Sequence, residues 1–344
     1  LHPYKHFPER AFWNRAVSNR HVSTLSELFD GMGPLARAQI ATAGSCFAQH
    51  IGRALRKRNL GYLDLEPAPS FLTPDEANRL GYELYTCRYG NIYTVRQLLQ
   101  LFQEAHGTRQ PLDGIWTTKG RHFDALRPGL QPDGFETEDE VRVLRDAHLA
   151  AVREMFARAD IFVFTLGLTE AWESLEDGTV YPSAPGVIAG DYDPKRYGFV
   201  NFRYPEVYRD FETFLHLLRQ CKPGVRVLLT VSPVPLAATA SGDHVLVATT
   251  QSKATLRAVA GDLAAEHDDV FYFPSYEVIT GQPTRHGFYA PDLRNVVQAG
   301  VDTVMQHFFA PEPEIAPPAP SAPAPPDVAA GYEYCEEALL GKLS

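Results

Sequence analysis

The chain has 344 residues, 44% hydrophobic and 22% charged, with 42 acidic against 32 basic side chains and a formal charge of −10. No run approaches the roughly 18 apolar residues of a spanning helix, and the acidic balance has the wrong sign for a general nucleic-acid binder. Neither a membrane span nor a nucleic-acid partner is therefore expected. Eight of the 27 prolines fall between Pro311 and Pro326, a composition that can neither bury a core nor pair a ladder.

In chain order, residues 1–37 are aromatic and basic without period and read as a segment that wraps the domain. Ala38–Ala43 reads as a short buried strand, stops at Gly44 and runs into a helix whose Phe47, Ile51 and Leu55 recur at helical spacing. The basic run Arg53–Arg58 closes that helix, where cations complement its dipole. Gly61–Leu65 is a second strand. Asp160–Leu166 is a third, preceded by a helix from Thr137, and Arg226–Val231 is a fourth, preceded by a helix through Phe211 and Leu218. Asp269–Phe273 is a fifth, preceded by the helix Ser252–Glu266 and followed by a last helix, Val296–Phe309. Apolar strands alternating with amphipathic helices indicate a parallel sheet covered on both faces. The fold expected for residues 1–309 is a three-layer α/β/α domain around a five-stranded parallel sheet.

The surplus length falls in two insertions. Residues 66–136 hold a helix, Tyr93–Ala105, and a hairpin, Ile115–Asp124, turning at Lys119-Gly120. Residues 172–202 hold a hairpin signal at Asp177-Gly178. Loops this long in a compact domain commonly serve as walls or lids of a site. Residues 310–330 form a disordered Pro/Ala-rich linker and 331–344 a short tail, with a helical signal at Glu336–Leu340.

Four cysteines, Cys46, Cys87, Cys221 and Cys335, lack paired or CxxC spacing, so no disulfide scaffold or zinc site is expected and a reducing, cytoplasmic location is the default. No signal peptide is visible in the first thirty residues. No metal cluster or phosphate-binding glycine loop is present, so no cofactor is expected.

Ligands of open α/β sheets bind outside the carboxyl ends of the strands, which directs attention to Gly44–Ala48, Gly167–Trp172, Ser232–Lys253 and Ser275–Asn295. Ser45 and Cys46 occupy a strand-to-helix turn, where backbone N–H groups and the helix dipole lower a thiol pKa and favour an oxyanion. The competing reading makes Ser45 a helix cap and Cys46 a small buried hydrophobe.

Gly44-Ser-Cys-Phe-Ala48 resembles the motif that names the GSCFA family. The likeness continues through Thr165–Trp172, Thr230–Pro235, Ser252-Lys-Ala254 and Tyr272–Glu277. That resemblance implies membership of the SGNH (GDSL-like) hydrolases, whose active-site blocks follow the strands of a five-stranded parallel sheet. Aligned on Gly44, Cys46 falls at the nucleophile position and Ser45 beside it. Gly90 and Thr169 fall at the oxyanion positions, and Asn91, Glu170, Trp172 and Lys253 become substrate-facing candidates. The last block departs from the pattern: Asp292-Leu-Arg-Asn295 has Asn where those enzymes place the histidine base. Asp292 remains an orienting carboxylate, with His244 the candidate base and His286, a substrate-loop residue, and His50 as alternatives. The implied function is an acyl-transfer enzyme, an esterase, thioesterase or O-acyltransferase acting on a small molecule or glycan, as in bacterial-type polysaccharide modification. The alternative is a non-catalytic carbohydrate-binding or assembly module. The sequence leaves the oligomeric state open.

Overall fold

The structure, a computed structural model, describes residues 2–310; the proline-rich linker and tail expected beyond them lie outside the described residues. In chain order the elements are α1 (Trp13–Ala16), β1 (Ile40–Gly44), α2 (Ala48–Lys57), α3 (Pro74–Arg79), α4 (Val95–Ala105), β2 (Ile115–Thr118), β3 (Arg121–Asp124), α5 (Glu138–Arg158), β4 (Ile161–Leu166), β5 (Glu170–Ser174), β6 (Val180–Tyr181), β7 (Tyr197–Asn201), α6 (Tyr204–Cys221), β8 (Arg226–Val231), α7 (Val245–Glu266), β9 (Val270–Tyr272), α8 (Ser275–Thr280) and α9 (Gln298–Phe309).

Four strands form a parallel sheet in the order β1-β4-β8-β9. Every residue of β1 and β4 is buried, which is why these strands read as unbroken apolar runs rather than as alternating text. One face packs Phe162, Phe164 and Leu229 against Phe102 of α4, Phe156 of α5, Phe214 of α6 and Leu256 of α7. The other packs Ile40, Val163 and Leu228 against Ile51 of α2, Val278 of α8 and Phe308 of α9. Among the described residues, no helix is long and apolar enough to cross a membrane.

The sheet has four strands where the sequence points to five. Segment 61–65 runs beside β1 but makes one parallel bridge, Ile40 to Tyr62, held by Ile40 N–H to Gly61 O and Leu63 N–H to Ile40 O, both 2.9 Å. Thr86 of the first insertion then takes over this edge. Its Oγ1 accepts from Thr42 N–H at 3.0 Å and its carbonyl accepts from Leu65 N–H at 2.9 Å. With both chains turned to Thr86, the ladder cannot extend.

The first insertion carries α4 and the antiparallel β2–β3 hairpin. Buried charges fasten it to α5: His148 Nδ1 lies 2.6 Å from Glu66 Oε2, Arg127 Nε donates to Asp124 at 2.6 Å, and Arg145 Nε donates to Glu104 at 2.9 Å. The second insertion is a three-stranded antiparallel sheet, β6-β5-β7, which begins at Glu170, ahead of the expected Trp172. Helix α7 likewise begins at Val245 rather than at Ser252. Near the N-terminus, Val22, Met32 and Leu35 are buried in the α9 side of the core, and Val22 O lies 2.9 Å from His307 Nε2.

Candidate active site

β1 ends at Gly44, whose φ of +131° turns the chain out of the sheet beside Thr165 of β4. Ser45 N–H donates to Thr165 O at 3.1 Å, so this amide is spent on the sheet and is not an oxyanion donor. Cys46 and Phe47 then form the turn that starts α2, with Gln49 N–H donating to Cys46 O at 3.1 Å. Phe47 drops into the core between the sheet and α9. Cys46 is directed elsewhere: it is 2% exposed within a small cluster of Tyr93, Leu168, Val234 and Leu236, flanked by Val245 and Val296. These neighbours come from the first insertion, the loops after β4 and β8, the start of α7 and the approach to α9. Side chains from the carboxyl-end loops thus share one small cluster with Cys46.

Ser45 packs against the loop after β4. A Cβ added to Gly167 would stand 2.9 Å from Ser45 Cβ and 3.0 Å from Tyr93 O. The Ser45 hydroxyl is buried and has no hydrogen-bond partner among the described residues. The loop itself is clamped from two sides. Tyr93 O accepts from Gly167 N–H at 3.1 Å and Leu168 N–H at 2.9 Å. From α7, Lys253 Nζ donates to Gly167 O at 2.7 Å, and Ser252 Oγ accepts from Thr169 N–H at 3.1 Å. Lys253 is 1% exposed and Thr169 2%.

Gly90 and Asn91 lie on the other side of the turn. Ile92 N–H donates to Gly44 O at 2.9 Å, which brings the left-handed Gly90 (φ +69°) alongside the motif. Buried Asn91 accepts from Tyr85 OH at 2.5 Å, and Tyr85 OH accepts from Gln49 Nε2 at 3.3 Å, so α2 and this loop are tied together.

Glu170 and Trp172 begin β5 and line a cavity of about 180 Å³ with Tyr93, Leu168, Phe199 and Thr239. Tyr93 and Leu168 also belong to the cluster around Cys46, so the cavity adjoins the sulfur's surroundings. Thr239 Oγ1 donates to Glu170 Oε1 at 2.7 Å, and burial pushes the Glu170 carboxyl above its ordinary pKa. Trp172 meets Phe199 and Tyr192 edge-on, at ring separations of 5.9 and 5.2 Å.

The remaining candidates lie at exposed or peripheral positions. His244 is exposed and caps α7, its Nδ1 accepting from Leu246 N–H at 3.2 Å. The capping bond engages Nδ1 with the backbone of its own helix. His286 is exposed on a left-handed backbone, φ +61°. His50 is half-buried in α2 with its ring edge-on to Phe47 at 5.3 Å. Exposed Asp292 accepts from Arg294 N–H and Asn295 N–H, both at 3.0 Å, and from Asn295 Nδ2 at 2.5 Å. These bonds hold its carboxyl below the ordinary value and commit it to its own turn.

The structure therefore gathers Cys46, Ser45, Gly90, Asn91, Thr169 and Lys253 around one turn, with Glu170 and Trp172 in the adjoining cavity. Tyr93, Tyr85, Gln49 and Thr239 join them without having been singled out. Tyr93 ends the run Tyr89-Gly-Asn-Ile-Tyr93, two residues beyond Asn91. Thr239 stands in Ala237-Ala-Thr-Ala-Ser241, which has no pattern to read.

No curated protein matches the sequence. The family model described as the GSCFA family matches residues 39–308, a span that contains all four strands and every residue gathered at the site, and the chain belongs to that family.

Proposed function

We propose that the chain is an acyl-transfer enzyme of the SGNH type, in which Cys46 accepts an acyl group from an ester or thioester and passes it to water or a hydroxyl. The observation that carries this reading is the placing of Cys46 at a strand–helix turn where the carboxyl-end loops converge beside an aromatic-walled cavity. A thiol at such a turn needs less help from a base than a hydroxyl does. In this reading Tyr62's single bridge stands in for the fifth strand of that fold. The Gly90 backbone and the Thr169 hydroxyl supply donors to the developing oxyanion, and Asn91 holds the Gly90 loop through Tyr85.

The substrate class we favour is an acylated carbohydrate. Trp172 and Phe199 offer flat apolar faces to ring C–H groups, while Glu170 and Thr239 offer hydroxyl partners, the mixture of apolar wall and few polar groups typical of small-molecule sites. The rival reading, a non-catalytic carbohydrate-binding or assembly module, is favoured by the exposed His244 and by Asn295 standing where a base is expected.

The test is acyl labelling. Incubation with p-nitrophenyl acetate or an acetyl thioester should give an acetyl adduct that peptide mass mapping places on Cys46, absent in Cys46→Ala and partly retained in Ser45→Ala. Equal turnover in Cys46→Ala and the unaltered protein would end the enzyme reading in this form, and no turnover with retained sugar binding would establish the module.

A further inference from the structure

We propose that Lys253 is the proton acceptor for the Cys46 thiol, in the role the missing histidine would have filled; this rests on the acyl-transfer reading above. Lys253 stands two turns into α7, on its buried face, and is 1% exposed. A lysine amine can carry a proton between reacting groups. Its position is fixed by the Gly167 carbonyl. Gly167 touches Ser45, and the next residue, Leu168, shares the small apolar cluster of Cys46. Ser252 holds the same loop at Thr169, so the Ser252-Lys253 pair and the Ser45-Cys46 pair both border the segment 167–169. Titratable groups on the elements around the cluster include Tyr93, His50 and Arg53 on α2, Glu170 after Thr169, Asp243 and His244 at the head of α7, Arg257 on α7, and Asp292 and Arg294 ahead of Val296.

The chemistry balances without a cofactor. The thiol S–H breaks, its proton passes to the Lys253 amine, and the thiolate pair forms the C–S bond while the carbonyl π pair moves to oxygen. Collapse of that intermediate breaks the ester C–O bond, and the departing alkoxide takes the proton from the ammonium. In the second half, water or a sugar hydroxyl gives its proton to the amine and attacks the thioester, expelling the thiolate, which the ammonium can reprotonate.

The experiment is the pH profile of Cys46 alkylation by iodoacetamide, read by peptide mass mapping, alongside p-nitrophenyl acetate turnover. In the unaltered protein the alkylation midpoint should lie at least one pH unit below the ordinary thiol value of about 8.5. Lys253→Met should raise it by at least one unit and cut turnover at least 100-fold. Lys253→Arg should keep the low midpoint, because the charge remains, yet lose turnover, because a guanidinium cannot exchange the proton. An ordinary midpoint in the unaltered protein overturns the proposal even if both variants fail to fold. Equal midpoints in the unaltered protein and Lys253→Met, or full turnover in Lys253→Arg, also overturn it. A lysine-dependent midpoint without acyl turnover would sustain the coupling of the two residues while removing the enzyme reading on which its catalytic use rests.

Discussion

Gly44 and Thr165 close the β1–β4 ladder so tightly that a Cβ on Gly44 would stand 2.4 Å from Thr165 O and 2.6 Å from Thr165 N. The obstruction is backbone, which cannot swing aside as a side chain can, and the φ of +131° is itself disfavoured for L-residues. Gly44 thus fixes how Ser45 and Cys46 leave the sheet. Gly44→Ala should destabilise the fold by about 3–5 kcal/mol, the range of severe core changes, and should abolish acyl labelling. A melting temperature within a degree or two of the unaltered protein would show that the close approach is dispensable.

Two buried hydroxyls at this junction, Ser45 Oγ and Thr165 Oγ1, have no hydrogen-bond partner among the described residues. An unsatisfied buried polar group costs about 1–3 kcal/mol. Thr165→Val keeps the shape and removes the unpaired group, so urea unfolding should show a gain of about 1 kcal/mol. A loss of that size would mean that the hydroxyl is satisfied in solution. Ser45→Ala should be neutral or stabilising by the same reasoning, which separates a structural from a chemical role for Ser45 when labelling is measured on the same preparation.

The strands β1, β4 and β8 were legible because buried parallel strands are continuous apolar runs, and the half-buried edge strand β9 because Val270, Phe271 and Tyr272 are apolar and favour strand. The edge strand at 61–65 was not, because its fate depends on Thr86, more than twenty positions on, competing for the rim of β1. The start of α7 was hidden because Leu246 and Val247 face solvent, 67% and 57% exposed, and so break the apolar period. At the site, Gly44 and Gly167 punctuate the strands and expose the two loops. Glu170 and Trp172 were legible from their place just after β4. The histidines were harder: His244 follows β8 in sequence, yet whether its ring turns to the cleft is set by a capping bond to Leu246, which spacing does not reveal.

The Glu66–His148 pair makes stability depend on pH. Burial, with Arg127 beside it, depresses the His148 pKa from 6.5 to about 4. Hydrogen bonding to His148 and the nearby Arg127 charge outweigh burial at Glu66 and lower it from 4.5 to about 2. Between pH 6.5 and 4 the unfolded chain holds more protons than the folded one at His148, so stability falls as pH falls through that window. Glu66 extends the loss from pH 4.5 toward 2. The His148 part is of order 3 kcal/mol at most, from about 1.4 kcal/mol per pKa unit. Urea midpoints measured from pH 7.5 to 4 should decline steadily. In His148→Asn, whose amide can still donate toward Glu66, the upper part of that decline should shrink, and an unchanged slope would assign it to other groups.

On the acyl-transfer reading, Trp172 would bear on binding of the substrate rather than on transfer of its acyl group. Its indole forms part of the cavity wall with Phe199 and Glu170, and the cavity shares Tyr93 and Leu168 with the Cys46 cluster. Trp172→Ala therefore removes a face that a sugar ring would occupy while leaving the sulfur's own neighbours in place. With p-nitrophenyl acetate, whose acyl group is small, kcat/KM should change less than about threefold. With an acetylated sugar such as glucose pentaacetate it should fall at least tenfold, about 1.4 kcal/mol of lost contact, chiefly through KM because a wall binds ground and transition states alike. Glu170→Gln, which keeps the Thr239 partnership but removes the charge, should show the same selectivity with a smaller loss. If both substrates suffer equally in Trp172→Ala, the indole supports the fold of β5 rather than the ligand. If neither suffers, the cavity is not where the substrate's sugar lies.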